Sequence, residues 1–301
     1  MAPLTSESKQ ALDRLRAYNA PPTVWQDIPL SRKAAVLILL FAGEKGDLRV
    51  VVTMRASSLS SYSGQAALPG GKAEEGETAQ QCARREASEE IGLPLRDDKL
   101  PPPFLIEHLG DMPTNLAKTE LVVVPVVAFL HSYDEKTGQD ANVGEQLLPR
   151  LDAREVAAVF SMPFRNLLYK NDLPTEPDLP GKPSDWYRGS WTDWHQVRWR
   201  MHNFFVPVTN QTVTKPKRTD TQKAAADHLK GLERYRVFGM TARILTDAAR
   251  VAYAQEPEFQ HNSHFGDEDM IGRLRRIGRL NDMKKPGEEL TGDILLKAAN
   301  L

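Results

Sequence analysis

Apolar residues recur at helical spacing between residues 5 and 19, with Ala11, Leu12 and Leu15 on one face, and Ala20-Pro21-Pro22 breaks the run. Residues 34–42 are continuously apolar, which predicts a buried strand. Residues 43–47 read as a turn and residues 48–54 as a second, β-branched strand, so the pair predicts a hairpin. A polar loop over residues 55–64 leads to Ala66-Ala67-Leu68, a short strand. Strand-like runs follow at 104–110 and 121–130. Pro125 lies inside the second, and because proline cannot donate to a ladder it predicts an edge or a bulge there. Residues 155–160 predict another strand and 163–169 a helix. Residues 171–190, rich in Pro, Asp and Gly, read as an inserted loop, 197–208 as strand and 209–232 as a polar stretch. Residues 238–253 predict a helix, with Met240, Ile244, Leu245, Ala248 and Val251 at helical spacing. Beyond Gln255 the chain is polar and expected at the periphery, with one amphipathic helix around 270–280. Mixed strands with helices to cover them imply an α+β or α/β sandwich.

One segment carries its own punctuation. Thr78-Ala79-Gln80-Gln81 fits a capping box, with Thr78 as N-cap and Gln81 reaching back, and Gly92 stands where a helix end takes a left-handed residue. A helix over residues 79–91 follows. At 100° per residue, Glu86, Glu89 and Glu90 fall within an arc of about 100°, bordering the small-residue stripe Ala79, Ala83, Ala87 and Ile91. Like charges three and four apart cost a bare helix a few tenths of a kcal/mol per pair, roughly. A bound divalent cation reverses that sign, and oxygen-only ligands suit Mg2+ or Mn2+.

Bulk properties narrow the class. Lys plus Arg is 39 and Asp plus Glu is 40, for a net charge of −1, so long nucleic acids are not expected partners. The single cysteine, Cys82, excludes an intrachain disulfide or a multi-cysteine zinc site, and reads as a small packing residue. No apolar run reaches the length of a membrane span and no signal-peptide core stands at the start of this sequence. His261 and His264 have H-x-x-H spacing without a helix signal around them and are not read as metal ligands. Asp111 reads as turn chemistry.

Residues 71–93 read GKAEEGETAQQCARREASEEIGL. Gly71, Glu77, Arg85, Glu86, Glu89, Glu90 and Gly92 stand at the spacing G-x5-E-x7-R-E-U-x-E-E-x-G-U, where U is aliphatic, with Ala87 smaller than the usual residue and Leu93 fitting. Seven such matches arise by chance about once in a million chains of this size, given typical composition. The stretch resembles the signature of the Nudix hydrolases. The resemblance implies an α/β/α sandwich with an N-terminal helix, inserted loops and a C-terminal tail. It divides the chain into an N-terminal helical extension (1–29), a Nudix domain (30–255, insertions about 171–232) and a tail (256–301). It implies Glu86, Glu89 and Glu90 as catalytic and metal-binding residues, with the Gly71 backbone as a further ligand and Mg2+ or Mn2+ as cofactor. Glu77 and Arg85 are implied as a structural ion pair. Glu145 and Glu155 are candidate general bases outside the motif, each also readable as an ordinary polar residue.

Residues 53–71, TMRASSLSSYSGQAALPGG, are similar to the coenzyme A diphosphatase subgroup, whose pattern is roughly L-L-T-x-R-[SA]-x3-R-x3-G-x3-F-P-G-G. Thr53, Arg55, Ala56, Gly64, Pro69, Gly70 and Gly71 match, whereas Ser60 and Leu68 replace the usual Arg and Phe. Residues 235–245, YRVFGMTARIL, resemble the W-G-L-T-A-R-I-L that ends the subgroup's domain. The resemblance spans about residues 30–255 and implies Arg55, Gly64, Gln65 and Lys72 as substrate-binding. The implied activity is Mg2+-dependent hydrolysis of the diphosphate of coenzyme A or acyl-CoA to 3′,5′-ADP and a 4′-phosphopantetheine. The alternative is a Nudix hydrolase of oxidised nucleoside triphosphates, NADH or ADP-ribose. Lys215, Lys217 and Arg218 could meet the 3′-phosphate, but they read first as a solvated loop. The implied partner is a small nucleotide, and the oligomeric state stays open. Ala299-Asn300-Leu301 matches a small-basic-Leu peroxisomal address at two of three positions, so a peroxisomal location is expected, with cytoplasm the alternative.

Overall fold

A computed structural model describes residues 3–56, 65–134, 137–141, 143, 156–173, 183–194, 197–208, 213–214, 229, 231–282 and 290–300. Its centre is β1 (Lys33–Ala42), the apolar run. The run is continuous because both faces of the strand are covered. Leu37 and Leu39 enter one core cluster, whereas Ile38 and Leu40 enter the other. The turn at Gly43–Asp47 joins β1 to β2 (Leu48–Arg55), and the two pair antiparallel over Leu40–Ala42 and Leu48–Val50. The hairpin expectation is thereby met.

On the far side of β1 lies β7 (Val122–His131), parallel to it, and then β5 (Leu105–Asp111), antiparallel to β7. Beyond β2 lie β8 (Val156–Pro163) and β11 (Val213–Thr214). The sheet order is β11-β8-β2-β1-β7-β5. Pro125 therefore sits in an interior strand, contrary to the edge expected of it, and the register shift lies on the neighbouring β5, between His108 and Gly110. The proline carbonyl accepts from Met112 N at 2.8 Å, so its nitrogen faces the same crossing, where the chain leaves β5 for β6 (Asn115–Leu116) and no ladder bond is needed.

Helix α1 (Ser6–Ala17) is capped by Thr5, whose side chain accepts from Ser8 N, and it buries Ala11, Leu12 and Leu15. It packs beside α3 (Gly239–Tyr253) on the Ile38/Leu40 face. The α3 stripe meets expectation at Ile244, Leu245 and Ala248, which are buried with Ala242 and Ala249, whereas Met240 is exposed and Val251 only partly buried. The other face holds α2 (Ala79–Ile91), α4 (Glu268–Arg276) and α5 (Gly292–Ala299). These layers make the α/β/α sandwich of the sequence reading.

Three further segments differ from it. Part of the expected inserted loop is β9 (Tyr187–Trp194), which pairs with β10 (Val197–Pro207) and, through it, β12 (Arg234–Phe238) as a separate sheet. The helix expected at 163–169 is a tighter 3-10 turn, Phe164–Leu168. The tail is not peripheral: Ile271, Leu274, Leu280, Leu290 and Leu295 join Trp25 and Ile28 in the core. Its attachment is ionic as well as apolar. Glu120, fully buried and in the left-handed region (φ 62°), accepts from Arg32 Nη1 at 2.9 Å and from Arg279 Nε at 2.9 Å. Arg243, also buried, holds Asp267 at 3.0 Å.

Candidate active site

The strands β1 and β2 diverge below their short pairing. β3 (Ala66–Ala67) hydrogen-bonds to β2, and β4 (Gly70–Lys72) to the lower part of β1. The chain thus steps from one strand to the other across the split, with Leu37 N donating to Pro69 O at 2.7 Å. This brings β4 under α2. The helix is set by the signals read from its sequence. Thr78 Oγ1 accepts from Gln81 N at 3.2 Å, Gln81 Oε1 accepts from Thr78 N at 2.9 Å, and Gly92 is left-handed (φ 69°). Its buried face is Ala79, Cys82, Ala83, Ala87 and Ile91, mostly small side chains that let the helix lie close to the sheet.

The three acids stand at graded depth along that border. Glu90 is buried (4% exposed), Glu86 is 15% exposed and Glu89 is 58% exposed. Gly70 N donates to Glu90 Oε2 at 3.3 Å. A Cβ on Gly71 would lie 2.5 Å from the Glu86 carboxyl carbon, so only glycine lets the backbone approach that acid. Arg85 is the hub. It donates to Glu77 through Nε (2.7 Å) and Nη2 (3.1 Å), to Lys72 O (2.8 Å), to Glu86 (3.0 Å) and to Glu89 (3.4 Å). The hydrogen bonds with Arg85 hold the Glu77 carboxyl below its ordinary range, and the same contact raises the guanidinium. Cys82 is buried, and that burial, with Glu77 and Glu86 nearby, pushes its thiol up to about 11, so it stays protonated and unreactive.

In this arrangement no three acidic, histidine or cysteine side chains among the described residues converge on one point. The reason is visible: Glu86 and Glu89 turn to Arg85, and Glu90 to the Gly70 amide. The donor set nonetheless fits a hard divalent cation. It offers only oxygens, supplied within about one helix turn and beside a glycine backbone.

The other sequence candidates are scattered. Arg55 ends β2, and its backbone N donates to Gln65 O at 3.0 Å, so β2–β3 pairing brings these two together. The Arg55 Nε is buried with no hydrogen-bond partner among the described residues. Lys72 is exposed on β4. Gly64, Glu145, Glu155, Lys215, Lys217 and Arg218 lie outside the described residues. Asp111 closes β5 and sits 3.2 Å from His108. His264 is 55% exposed and 3.8 Å from Asp267. His261 belongs to a chain of hydrogen bonds that sequence reading did not find. Tyr187 Oη, His202, His261 and Asp247 are linked at 3.0, 2.7 and 2.8 Å. Burial pushes His202 down to about 3, with His261, Arg200 and Arg243 adding to the effect. These residues come from four separated segments, and no spacing in the sequence announces them.

Comparison with known proteins agrees with this geometry. The NUDIX domain profile matches residues 31–204. The chain is 30% identical over 321 residues to peroxisomal coenzyme A diphosphatase 1 of Saccharomyces cerevisiae, covering 98% of this chain and 92% of that one. It is 34% identical over 229 residues to the chloroplastic Nudix hydrolase 22 of Arabidopsis thaliana, covering 76% of this chain and 58% of that protein's length. Among solved structures, the NUDIX hydrolase of Alicyclobacillus acidocaldarius aligns over 46% of this chain and 81% of its own, at 22% identity and a TM-score of 0.32. With a match across more than half its length, and the acid helix, glycine strand and arginine hub in place, this chain belongs to the Nudix hydrolase family, enzymes that act on pyrophosphate bonds.

Proposed function

We propose that this hydrolase cleaves the diphosphate of coenzyme A or an acyl-CoA, giving 3′,5′-ADP and 4′-phosphopantetheine or its acyl form. The observation that carries this reading is the alignment with a coenzyme A diphosphatase over 98% of the chain, inserts and tail included. In the reaction a water oxygen bonds to one phosphorus, the bridging P–O bond breaks, and the departing phosphate keeps that electron pair. Glu86, Glu89, Glu90 and the Gly71 backbone would hold Mg2+ or Mn2+, which would supply charge neutralisation and ease deprotonation of the attacking water.

The chain's own groups do the rest. Arg85 holds Glu86 and Glu89 ready on one side of the helix, and its pairing with Glu77 ties the preceding loop to that helix. One of the three carboxylates, or Glu145 or Glu155, takes the proton of the water. Arg55, whose Nε has no hydrogen-bond partner among the described residues, and Lys72 are the cations for the substrate's phosphates, and Gly64 and Gln65 are further substrate-binding candidates. The test is a product-resolved screen with Mg2+ over coenzyme A, acyl-CoAs, NADH, ADP-ribose and 8-oxo-dGTP. Preference for coenzyme A or its thioesters supports the reading, and preference for any of the last three replaces it with the alternative.

Peroxisomal location is proposed on the same basis, since the yeast relative is named as peroxisomal. The chloroplastic relative points elsewhere. Fluorescence imaging of the tagged protein against peroxisomal and cytosolic markers separates the two locations.

A further inference from the structure

On the β9–β10–β12 sheet, Asn203 and Phe205 of β10 share one face. Arg188 lies opposite Asn203 on β9, and Phe238 lies opposite it on β12. Arg236 lies opposite Phe205 on β12. The two arginines therefore flank β10, on strands about 10 Å apart. Both are exposed, whereas the three residues between them are partly buried. The Arg188 guanidinium lies 5.2 Å from the centre of the Phe205 ring, and that of Arg236 lies 4.1 Å from the Phe238 ring. Arg236 Nε donates to Asn203 Oδ1 at 2.8 Å, and Asn203 Nδ2 donates to Arg188 O at 3.1 Å, so one side chain links the two outer strands.

This pair is unlike most arginines of the molecule. Arg16, Arg85, Arg243 and Arg250 each meet a carboxylate within 3.2 Å. Among the described residues neither Arg188 nor Arg236 does. A guanidinium laid on a ring keeps its in-plane N–H edge for an anion. Two such edges on one small face suit a dianionic group with three terminal oxygens, a phosphomonoester, better than a singly charged diester. The half-exposed Phe205 and Phe238 rings add a stacking surface for a base.

We propose that Arg188, Arg236, Phe205 and Phe238 form a binding site for a nucleotide phosphomonoester. The ligand has two possible sources: the substrate's own 3′-phosphorylated adenosine, if the coenzyme A reading holds, or a separate nucleotide. β12 packs beside β3, and the chain runs on from β3 to Gly70, whose amide donates to Glu90, so the site is linked through β3 to the strand that meets the acid helix.

The experiment titrates the full chain with adenosine 3′-monophosphate, without divalent cations, by calorimetry, alongside adenosine and the R188Q/R236Q variant. Binding that weakens at least tenfold in the variant, and equally for adenosine lacking the phosphate, is the expected result. No binding by the wild type, or equal binding by the variant or by adenosine, overturns the site. Turnover of coenzyme A against dephospho-coenzyme A then identifies the source. A preference that falls at least tenfold in the variant assigns the phosphate to the substrate, and one that persists assigns it to a second nucleotide. Because the titration needs no turnover, failure of the coenzyme A reading and failure of this site are read separately.

Discussion

Arg85 contacts four acceptors at once, and two of them are acids proposed to hold the metal. Substitution at this cluster separates roles. Glu89→Gln or Glu90→Gln keeps the shape and removes a charge, so kcat should fall by about 10²-fold or more while the fold survives. Near-normal turnover of both variants at saturating Mg2+ would exclude the metal-cage assignment. Glu77→Gln breaks the Arg85 pair instead. It should lower Tm and affect Mg2+ affinity less than Glu90→Gln does. Unchanged Tm with selectively weakened Mg2+ binding would make Glu77 a ligand. At this scale most of the cluster was legible, because capping, helical phase and the glycine stop are local in sequence. What was not legible is the depth gradient from Glu90 to Glu89, which depends on where the sheet lies beneath the helix. The bonds from Arg85 to Glu86 and Glu89 were equally hidden, because they depend on rotamers.

Elements with one apolar period were readable, and those defined by partners were not. The apolar run of β1 announces itself, whereas β12 pairs with β10 from a distant segment, and the start of β9, though next to β10 in sequence, reads as loop because Arg188, Gly189 and Ser190 give it no apolar alternation. The hydrogen-bonded chain under that sheet gives these elements a pH dependence. His202 is held neutral well below its unfolded value of about 6.5, so the unfolded chain binds a proton that the folded chain refuses. Its contribution to stability is present above that value and is lost as pH falls toward about 3. Glu107, held at about 2 by its hydrogen bonds to Arg16, adds acid sensitivity only below its unfolded value of about 4.5. Urea midpoints should therefore already decline between pH 6.5 and 4.5. His202→Gln, which keeps a donor and an acceptor without titrating in this range, should flatten that slope. An unaltered slope in the variant would show that another group carries it.

The whole molecule closes on contacts between distant segments. Arg32, Glu120 and Arg279 meet in a buried triad that joins the start of the sheet, a turn before β7 and the tail. Glu120→Ala strands Arg32, which is 3% exposed, without its partner and should cost about 3–5 kcal/mol, visible as a lowered denaturation midpoint. A midpoint within error of wild type would show that this triad does not hold the tail. The polar composition after Gln255 conceals this, since its buried apolar side chains, among them Ile271, Leu274, Leu280, Leu290 and Leu295, stand singly in a mostly polar stretch. Their placement also sets an order of events in time. Trp25 and Ile28 are synthesised early, yet the tail residues that share their core cluster, Ile271 to Ala298, come last. Loop closure over such separations is slow, and apolar surface left open meanwhile invites association. On the ribosome the nascent chain should stay protease-sensitive, and dependent on holding chaperones, until α4 and α5 have cleared the exit. Stalled chains of increasing length, probed by brief proteolysis, should gain resistance in one late step once those helices emerge, not gradually as each strand appears.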